Sequence, residues 1–401
     1  MKLEELDYAL DPASIATQPA EPRDSARMLV LHCAADRIEH RHVRDLPEYL
    51  QAGDSLVLNT TRVAPMRLRG RRRGDGRIVE GLILEFRGRT VAHALIHGAK
   101  RFKPGDVVEL RGAGDALSFV AREGMGWMLE SASGDPVIDI IERSGWTPLP
   151  PYILEARGER HVEHHPAIEA GGHGTGGSVG ADAHRASTAD DWADEEAVDA
   201  HDREAYQTIY AAMTDRPSCA APTAGLHFTP RLLDALAGVG VRRIDVELQV
   251  GAGTFRTVDA ADVAAHLMHS ERCRLGAAAA LALSQVHEGQ RLVAIGTTSV
   301  RVLESLPRPL SAVMLEAAQG LVQRGRGQEV VHDFSTELFI RPGFEFKWVD
   351  VLMTNFHLPK STLLALVGAI VGMDRLKRTY AEAQRLGYRF YSYGDAMLVL
   401  P

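Results

Sequence analysis

The stretch from about Val63 to Thr147 constrains the fold more than any other part of the chain. Short runs of apolar and β-favouring residues recur there: Ile78-Val79, Leu82–Phe86, Val91–Ile96, Val107–Leu110 and Trp127–Glu130. Turn residues separate them, at Gly74-Asp75-Gly76, Pro104-Gly105-Asp106 and Ser133-Gly134-Asp135. None of these runs carries the long 3.6-residue apolar period of a helix, and strands at this spacing indicate a small antiparallel barrel or sandwich. The texture on either side is different. Met28–Leu31, Ser55–Leu58 and Leu292–Ile295 are compact apolar runs that suit buried strands. Thr298–Leu306, the run after Ser361-Thr362 and Lys377–Leu386 have helical spacing, with Ser361-Thr362 placed to cap the second. A β module interrupting α/β sequence is an inserted domain. The expected organisation is a discontinuous larger α/β domain, 1–62 and 148–401, with a smaller β domain at 63–147.

Charge at first points away from nucleic acid. The chain has 45 Lys+Arg against 53 Asp+Glu, a net of -8. One window carries that balance: residues 155–204 hold seven Glu, six Asp and four Arg, a net of -9, which leaves +1 for the remainder. Residues 155–202 also contain six of the 17 His, seven Gly and few large apolar residues. They read as a flexible acidic insertion, and this composition is favoured over metal chelation by His161, His164, His165 and His173. Opposite in character are Arg62, Arg67, Arg69, Arg71, Arg72, Arg73 and Arg77, which with Asp75 make a net +6 over 62–77; Lys100, Arg101 and Lys103 follow. Such density can neutralise phosphates along a nucleic-acid backbone, with a solvated basic face as the competing reading. The three cysteines, Cys33, Cys219 and Cys273, are widely spaced, which fits a reducing cytosol and neither a disulfide framework nor a zinc knuckle. The N-terminal MKLEELDYALDP has no apolar core of a secretory signal, and Leu363–Met373 is too short to span a bilayer. A cytoplasmic protein without membrane contact is expected, acting as a monomer.

Five segments hold residues able to do chemistry. Val250–Phe255 (VGAGTF) has glycines that allow close backbone approach to a ligand, yet Arg256 stands where the third glycine of a dinucleotide fingerprint belongs, and a tight turn fits equally well. Ala221–Thr229 packs Thr223 and His227 ahead of Thr229-Pro230, which can open a helix; capping and packing roles compete with chemistry there. In His266-Leu267-Met268-His269-Ser270-Glu271, two His on a helix would share a face as metal ligands, but Ser270–Leu275 reads extended and no third ligand follows. On a strand, His269 and Glu271 would point to one face as an acid/base pair. Gly296–Arg301 lies between a strand and a helix, where N–H groups and the Thr297 and Thr298 hydroxyls can hold a carboxylate, or merely cap. Asn355–Thr362, with Lys360 ahead of a buried helix, suits an anion or a routine cap.

Taken together the strings resemble one family, the S-adenosylmethionine:tRNA ribosyltransferase-isomerases of queuosine biosynthesis. The resemblance rests on Glu21–Asp24, Asn59–Val63, Pro148–Ile153, Tyr206–Tyr210, Ala221–Thr229, Val250–Phe255, Met268–Glu271, Gly296–Arg301, Thr354–Thr362 and Tyr391–Met397. It covers nearly the whole chain except the insertion after Ile153, which family members usually lack. It implies a larger barrel-like α/β domain with an inserted antiparallel β-barrel. The implied reaction uses S-adenosylmethionine as ribosyl donor and co-substrate, with no cofactor and no metal. The ribosyl group goes to 7-aminomethyl-7-deazaguanine at the tRNA wobble position and isomerises to give epoxyqueuosine, and adenine and methionine leave. The sulfonium acidifies the C5′ hydrogens, so the site needs a base, an acid for adenine and a pocket for the amino-acid end. His269 with Glu271 is the first candidate for proton abstraction, and His227 and His357 are rivals. Gly251, Gly253, Thr254 and Phe255 would lie against the nucleoside; Thr297, Thr298 and Arg301 would hold the carboxylate, with Thr223, Asn355 and Lys360 also lining substrate. Arg62 and the 67–77 arginines would meet tRNA. Two other classes remain open: a non-catalytic tRNA-binding protein on the same scaffold, and an ordinary S-adenosylmethionine methyltransferase.

Overall fold

The computed structural model describes residues 1–111, 114–157, 193–251, 263, 266 and 268–401. The chain divides into two compact units. The larger takes in Met1–Ala64 and Tyr206–Pro401, and the smaller runs over Pro65–Glu155 and includes the helix Ala193–Ala205.

In the larger unit the chain first forms β1 (Arg27–His32), β2 (Arg37–His42) and β3 (Ser55–Asn59). The smaller unit then forms β4 (Arg67–Arg72), β5 (Ile78–Phe86), β6 (Val91–Ile96), β7 (Val107–Leu110), β8 (Ala116–Glu123) and β9 (Gly126–Ser131). The larger unit resumes with β10 (Arg242–Leu248), β11 (Glu271–Gly276), β12 (Leu292–Ile295), β13 (Val330–Thr336), β14 (Val351–Asn355) and β15 (Ala396–Leu400).

The nine strands of the larger unit make one mixed sheet in the order β13-β11-β10-β3-β12-β14-β15-β1-β2. Its middle strands β3, β12, β14 and β15 are buried at every residue, which is why each carries consecutive apolar residues, such as Leu56–Leu58 and Val351–Met353, rather than an alternating pattern. One face carries Met28, Val30, Leu56, Leu58, Val293, Ile295 and Met353 against Leu232 and Leu236 of the helix Pro230–Gly238. Each such side chain fully buried contributes roughly 1.5–3 kcal/mol. Thr229 caps that helix, accepting a hydrogen bond from the Leu232 N–H at 3.2 Å, and Ser361 caps Thr362–Val371 in the same way at Leu364.

The smaller unit is a closed six-stranded antiparallel barrel, β4-β5-β6-β9-β8-β7, with β7 returning to β4 at Gly70↔Leu110. Closure leaves no strand edge open to another chain. At Gly70 a Cβ would fall 2.4 Å from the Glu109 carbonyl oxygen, so only glycine lets β4 and β7 meet there. The α/β class and the antiparallel β-barrel expected from the sequence are both present.

The divisions expected at Thr147 and over 155–202 differ from those observed. Pro148–Glu155 packs with the barrel unit. The end of the acidic insertion is not a loop, since Ala193–Ala205 is a helix fixed to that unit. Asp199 is the reason: its buried carboxylate accepts from the Thr147 N–H at 2.7 Å, from Arg111 at 2.6 Å and from Arg203 at 3.0 Å. Burial raises its pKa, but the hydrogen bonds from Thr147 and the Arg111 guanidinium outweigh it and hold the carboxyl below its usual range. His161, His164, His165 and His173 lie outside the described residues. Among the described residues no helix is long and apolar enough to cross a membrane.

Candidate functional site

Strand direction assembles the site. β3, β10, β12 and β14 run parallel, so Asn59, Leu248, Ile295 and Asn355 end on one edge of the sheet. β11 is antiparallel to β10 and brings Glu271 to that edge; β15 is antiparallel to β14 and brings Ala396 and the preceding Tyr391–Asp395. β1 is parallel to β15 and adds Arg27. Segments far apart in sequence thus line the carboxyl ends of the parallel strands, the place where open α/β sheets bind ligands.

Asn59 ties the edge together. Its side chain accepts from the Leu248 and Thr61 N–H groups at 3.1 and 3.2 Å and donates to the Leu248 carbonyl at 3.1 Å. Thr61 and Ser218 share a 2.6 Å hydroxyl contact, and Ser218 accepts from the Val250 N–H at 2.8 Å. The chain therefore enters Gly251 from a fixed position.

The shared strand face expected for His269 and Glu271 is not formed. Strand β11 begins at Glu271, His269 precedes it and is exposed, and Glu271 is buried. Both Glu271 oxygens are engaged: Oε1 accepts from the Gly251 N–H at 3.2 Å and Oε2 is ion-paired to Arg301. Arg301 also donates to the carbonyls of Leu338 (3.2 Å) and Thr336 (3.4 Å). The arginine expected to hold a substrate carboxylate thus serves a protein carboxylate, because a charge buried at that position needs an opposite charge beside it. His266 rings against Phe339, 5.8 Å between centroids.

Thr297 and Thr298 sit in the first turn of the helix Gly296–Ser305, both buried. Thr223 donates to Asn355 Oδ1 at 2.9 Å, and the Asn355 amide donates to the Tyr391 carbonyl at 3.0 Å. This pair joins Ala221–Thr229, Asn355–Thr362 and Tyr391–Met397.

The histidines differ sharply in access. Both ring nitrogens of His227 face backbone carbonyls, Ala224 at 3.0 Å and Gly394 at 2.8 Å, which leaves neither for a substrate. Burial lowers its pKa, against the pull of those carbonyls and Asp395. His357 is buried with Nε2 2.9 Å from the Thr354 hydroxyl, and burial pushes its pKa down to about 3. It is therefore a neutral, weakly basic ring at pH 7. Lys360 does not point at an open anion site: it is ion-paired to Asp7 at 2.9 Å.

An N-terminal strap escaped the sequence reading. The Lys360 N–H donates to the Leu6 carbonyl at 2.9 Å, the Tyr8 hydroxyl donates to the His357 carbonyl at 2.5 Å, and the Val263 N–H donates to the Met1 carbonyl at 3.2 Å. Tyr8 also packs edge-on against Tyr380, whose hydroxyl accepts from the His357 N–H at 3.0 Å. Pairing at such separation leaves no local pattern to read.

The arginines fall in both units, Arg62 in the larger and the other six in the smaller. On β4, Arg67, Arg69 and Arg71 alternate with buried Leu68 and Gly70. Many of the charges are already matched: Arg69 to Glu80 (3.6 Å) and Glu195, Arg72 to Asp75 and Asp106, Arg73 to Glu109 at 2.7 Å, and Arg77 to Asp75 at 3.3 Å. Lys100, Arg101 and Lys103 are exposed. Gly253, Thr254 and Phe255 lie outside the described residues, and among those described no cluster of three metal-ligating side chains occurs.

Known proteins resemble this chain over its whole length. The S-adenosylmethionine:tRNA ribosyltransferase-isomerase of Rhizorhabdus wittichii is 40% identical over 403 residues, covering 100% of both chains. The protein of the same name from Symbiobacterium thermophilum is 40% identical over 405 residues, again with 100% of both covered. A solved S-adenosylmethionine tRNA ribosyltransferase from Thermotoga maritima shares 30% identity, covering 99% of this chain and 100% of that one, with a TM-score of 0.47. A family model described as queuosine biosynthesis protein matches residues 3–399. The chain belongs to that family.

Proposed function

We propose that this chain transfers and isomerises the ribosyl group of S-adenosylmethionine onto 7-aminomethyl-7-deazaguanine at the tRNA wobble position, giving epoxyqueuosine with release of adenine and methionine. The observation that carries this reading is end-to-end similarity at 40% identity to enzymes of that name. The sheet edge supports it by bringing Asn59, Glu271, the start of Gly296–Arg301, Asn355 and Tyr391–Asp395 to one end of the sheet. The reaction is redox-neutral, and the sulfonium supplies the electrophilic activation, so S-adenosylmethionine enters as co-substrate and no further cofactor is needed for the balance.

The sulfonium acidifies C5′, a base removes a proton there, electron flow from that carbon assists loss of adenine, which takes up a proton, the tRNA amine bonds to the sugar carbon, and methionine leaves with the electron pair of the broken C5′–S bond as the epoxide closes. His269 is the candidate base, because it is exposed two residues before Glu271, whereas His227 and His357 are buried and burial lowers the pKa of each. Glu271 acts instead as a positioning residue, holding the Gly251 N–H and the Arg301 guanidinium. Gly251, Thr223 and Asn355 border the nucleoside, and the barrel arginines with Arg62 meet RNA phosphate.

Incubation with S-adenosylmethionine and precursor tRNA tests this directly. Adenine, methionine and epoxyqueuosine are expected. S-adenosylhomocysteine would identify a methyltransferase instead, and RNA binding with no product a non-catalytic binder. His269→Ala should lower kcat by roughly 10²–10⁴-fold while both substrates still bind; full turnover would refute its role.

A further inference from the structure

The helix Gly296–Ser305 opens at the ligand edge with no side chain capping its first turn. Gly296 has φ +82°, a left-handed conformation, and it turns the chain from β12 directly into the helix. The N–H groups of Gly296, Thr297 and Thr298 belong to the first turn, whose donors have no partner within the helix. Aligned peptide dipoles give that end partial positive charge.

Thr298 makes this more than a bare helix end. Its relative exposure is 9%, and its hydroxyl oxygen has no hydrogen-bond partner. That oxygen lies over the first residue of the helix, 3.7 Å from where a Cβ on Gly296 would be. A buried hydroxyl left unpaired is costly unless a ligand completes it. Ala224 lies 3.4 Å from the same Cβ position, so the segment that carries Thr223 is seated against the helix start.

Arg301 is committed to Glu271 and to the carbonyls of Thr336 and Leu338. The first turn, Gly296–Ser299, contains neither Lys nor Arg. The subsite therefore offers a hydroxyl and N–H dipoles without a full positive charge, which matches a singly charged carboxylate better than a phosphate dianion.

We propose that the Thr298 hydroxyl and the first-turn N–H groups bind the α-carboxylate of the methionine portion of S-adenosylmethionine. This rests on the reading of S-adenosylmethionine as co-substrate. It assigns the carboxylate to Thr298 and removes Arg301 from that role. An anchor held equally in ground and transition states affects binding more than turnover.

Calorimetry with two sulfonium ligands tests it: S-adenosylmethionine, and decarboxylated S-adenosylmethionine, which lacks only the carboxylate. Thr298→Val should raise the Kd of the first roughly tenfold, as loss of a hydrogen bond to a charged group does. It should leave the Kd of the second and of tRNA unchanged, and Thr298→Ser should restore the wild-type ratio. In a variant that still binds a sulfonium ligand measurably, equal weakening of both, or a selective loss of tRNA affinity, would overturn the assignment. Should Thr298→Val bind neither sulfonium ligand, Thr298→Ala, which carries no extra methyl group, makes the same comparison. Wild-type protein that binds tRNA but no sulfonium ligand would overturn the co-substrate reading itself, and this subsite with it.

Discussion

Replacing Arg301 by Met should be among the most damaging single changes at the site. Arg301 and Glu271 each have side chains only 7% exposed, and the guanidinium also serves two backbone carbonyls. Methionine fills similar volume but leaves the buried Glu271 carboxylate without the opposite charge that Arg301 supplies. Breaking such a pair from one side costs about 3–5 kcal/mol. With a urea m-value of about 3 kcal/mol/M, a loss of that size lowers the unfolding midpoint by about 1 M or more. Glu271→Gln keeps an acceptor for Arg301 and should cost about 1–3 kcal/mol. The double variant Arg301→Met with Glu271→Gln removes both charges and should be more stable than Arg301→Met alone. A kinetic arm separates positioning from proton transfer: at saturating substrates Glu271→Gln should keep kcat within about tenfold of wild type, where loss of an acid/base group costs about 10²–10⁴-fold. An Arg301→Met cost under about 1 kcal/mol, or a double variant no better than the single, would refute the ion-pair account. A collapse of kcat in folded Glu271→Gln would refute the positioning role.

Three other outcomes follow from the geometry. The pKa of His357 falls from the ordinary 6.5 to about 3 in the folded protein, so its contribution to stability is complete above about pH 6.5 and declines as pH drops toward 3. In paired urea titrations, the stability gap between wild type and His357→Gln should narrow by about 2 kcal/mol between pH 7 and 5; a constant gap would mean that His357 titrates normally. Tyr8→Phe removes the 2.5 Å hydrogen bond to the His357 carbonyl and should cost about 1 kcal/mol, raising KM for S-adenosylmethionine more than it lowers kcat; unchanged stability and kinetics would show that the strap does not brace this loop. Exposed Lys100→Ala and Arg101→Ala should each flatten the salt dependence of tRNA binding by about one counter-ion, whereas Arg72→Ala, whose charge is already met by Asp75, should change it less. Equal changes in all three slopes would contradict the charge matching seen on the barrel.

Where local pattern decides local structure, the sequence was legible. Apolar runs marked β1, β3, β12 and much of β5, β6, β7 and β9, and Ser361 and Thr229 marked their helices. Strand β4 was read as charge instead, since every outward position of Arg67–Arg72 is arginine. Strand β2, an edge strand rich in His and Arg, gave too weak an apolar signal. The helix Ala193–Ala205 was hidden inside an acidic window because its anchoring partners, Arg111 and the Thr147 N–H, are distant in sequence. The strings of the site were all visible, but their chemistry was not: neither the Glu271–Arg301 pairing, across 30 residues, nor the inward commitment of His227 has a local signature.

Sequence alone determined the inserted β module, the α/β frame and the family, because strand periodicity, turn residues and family strings are properties of neighbouring residues. Only the tertiary structure decided which of the candidate groups are buried and committed to protein partners. Parallel strand order brings Asn59, Gly251, Glu271, Thr298 and Asn355 to one edge. Burial there forces charge to meet charge, so Arg301 is taken up by Glu271, while at the surface Lys360 is ion-paired to Asp7. The Thr298 hydroxyl is left buried and unpaired at the helix start, and that asymmetry follows from distances no linear pattern encodes.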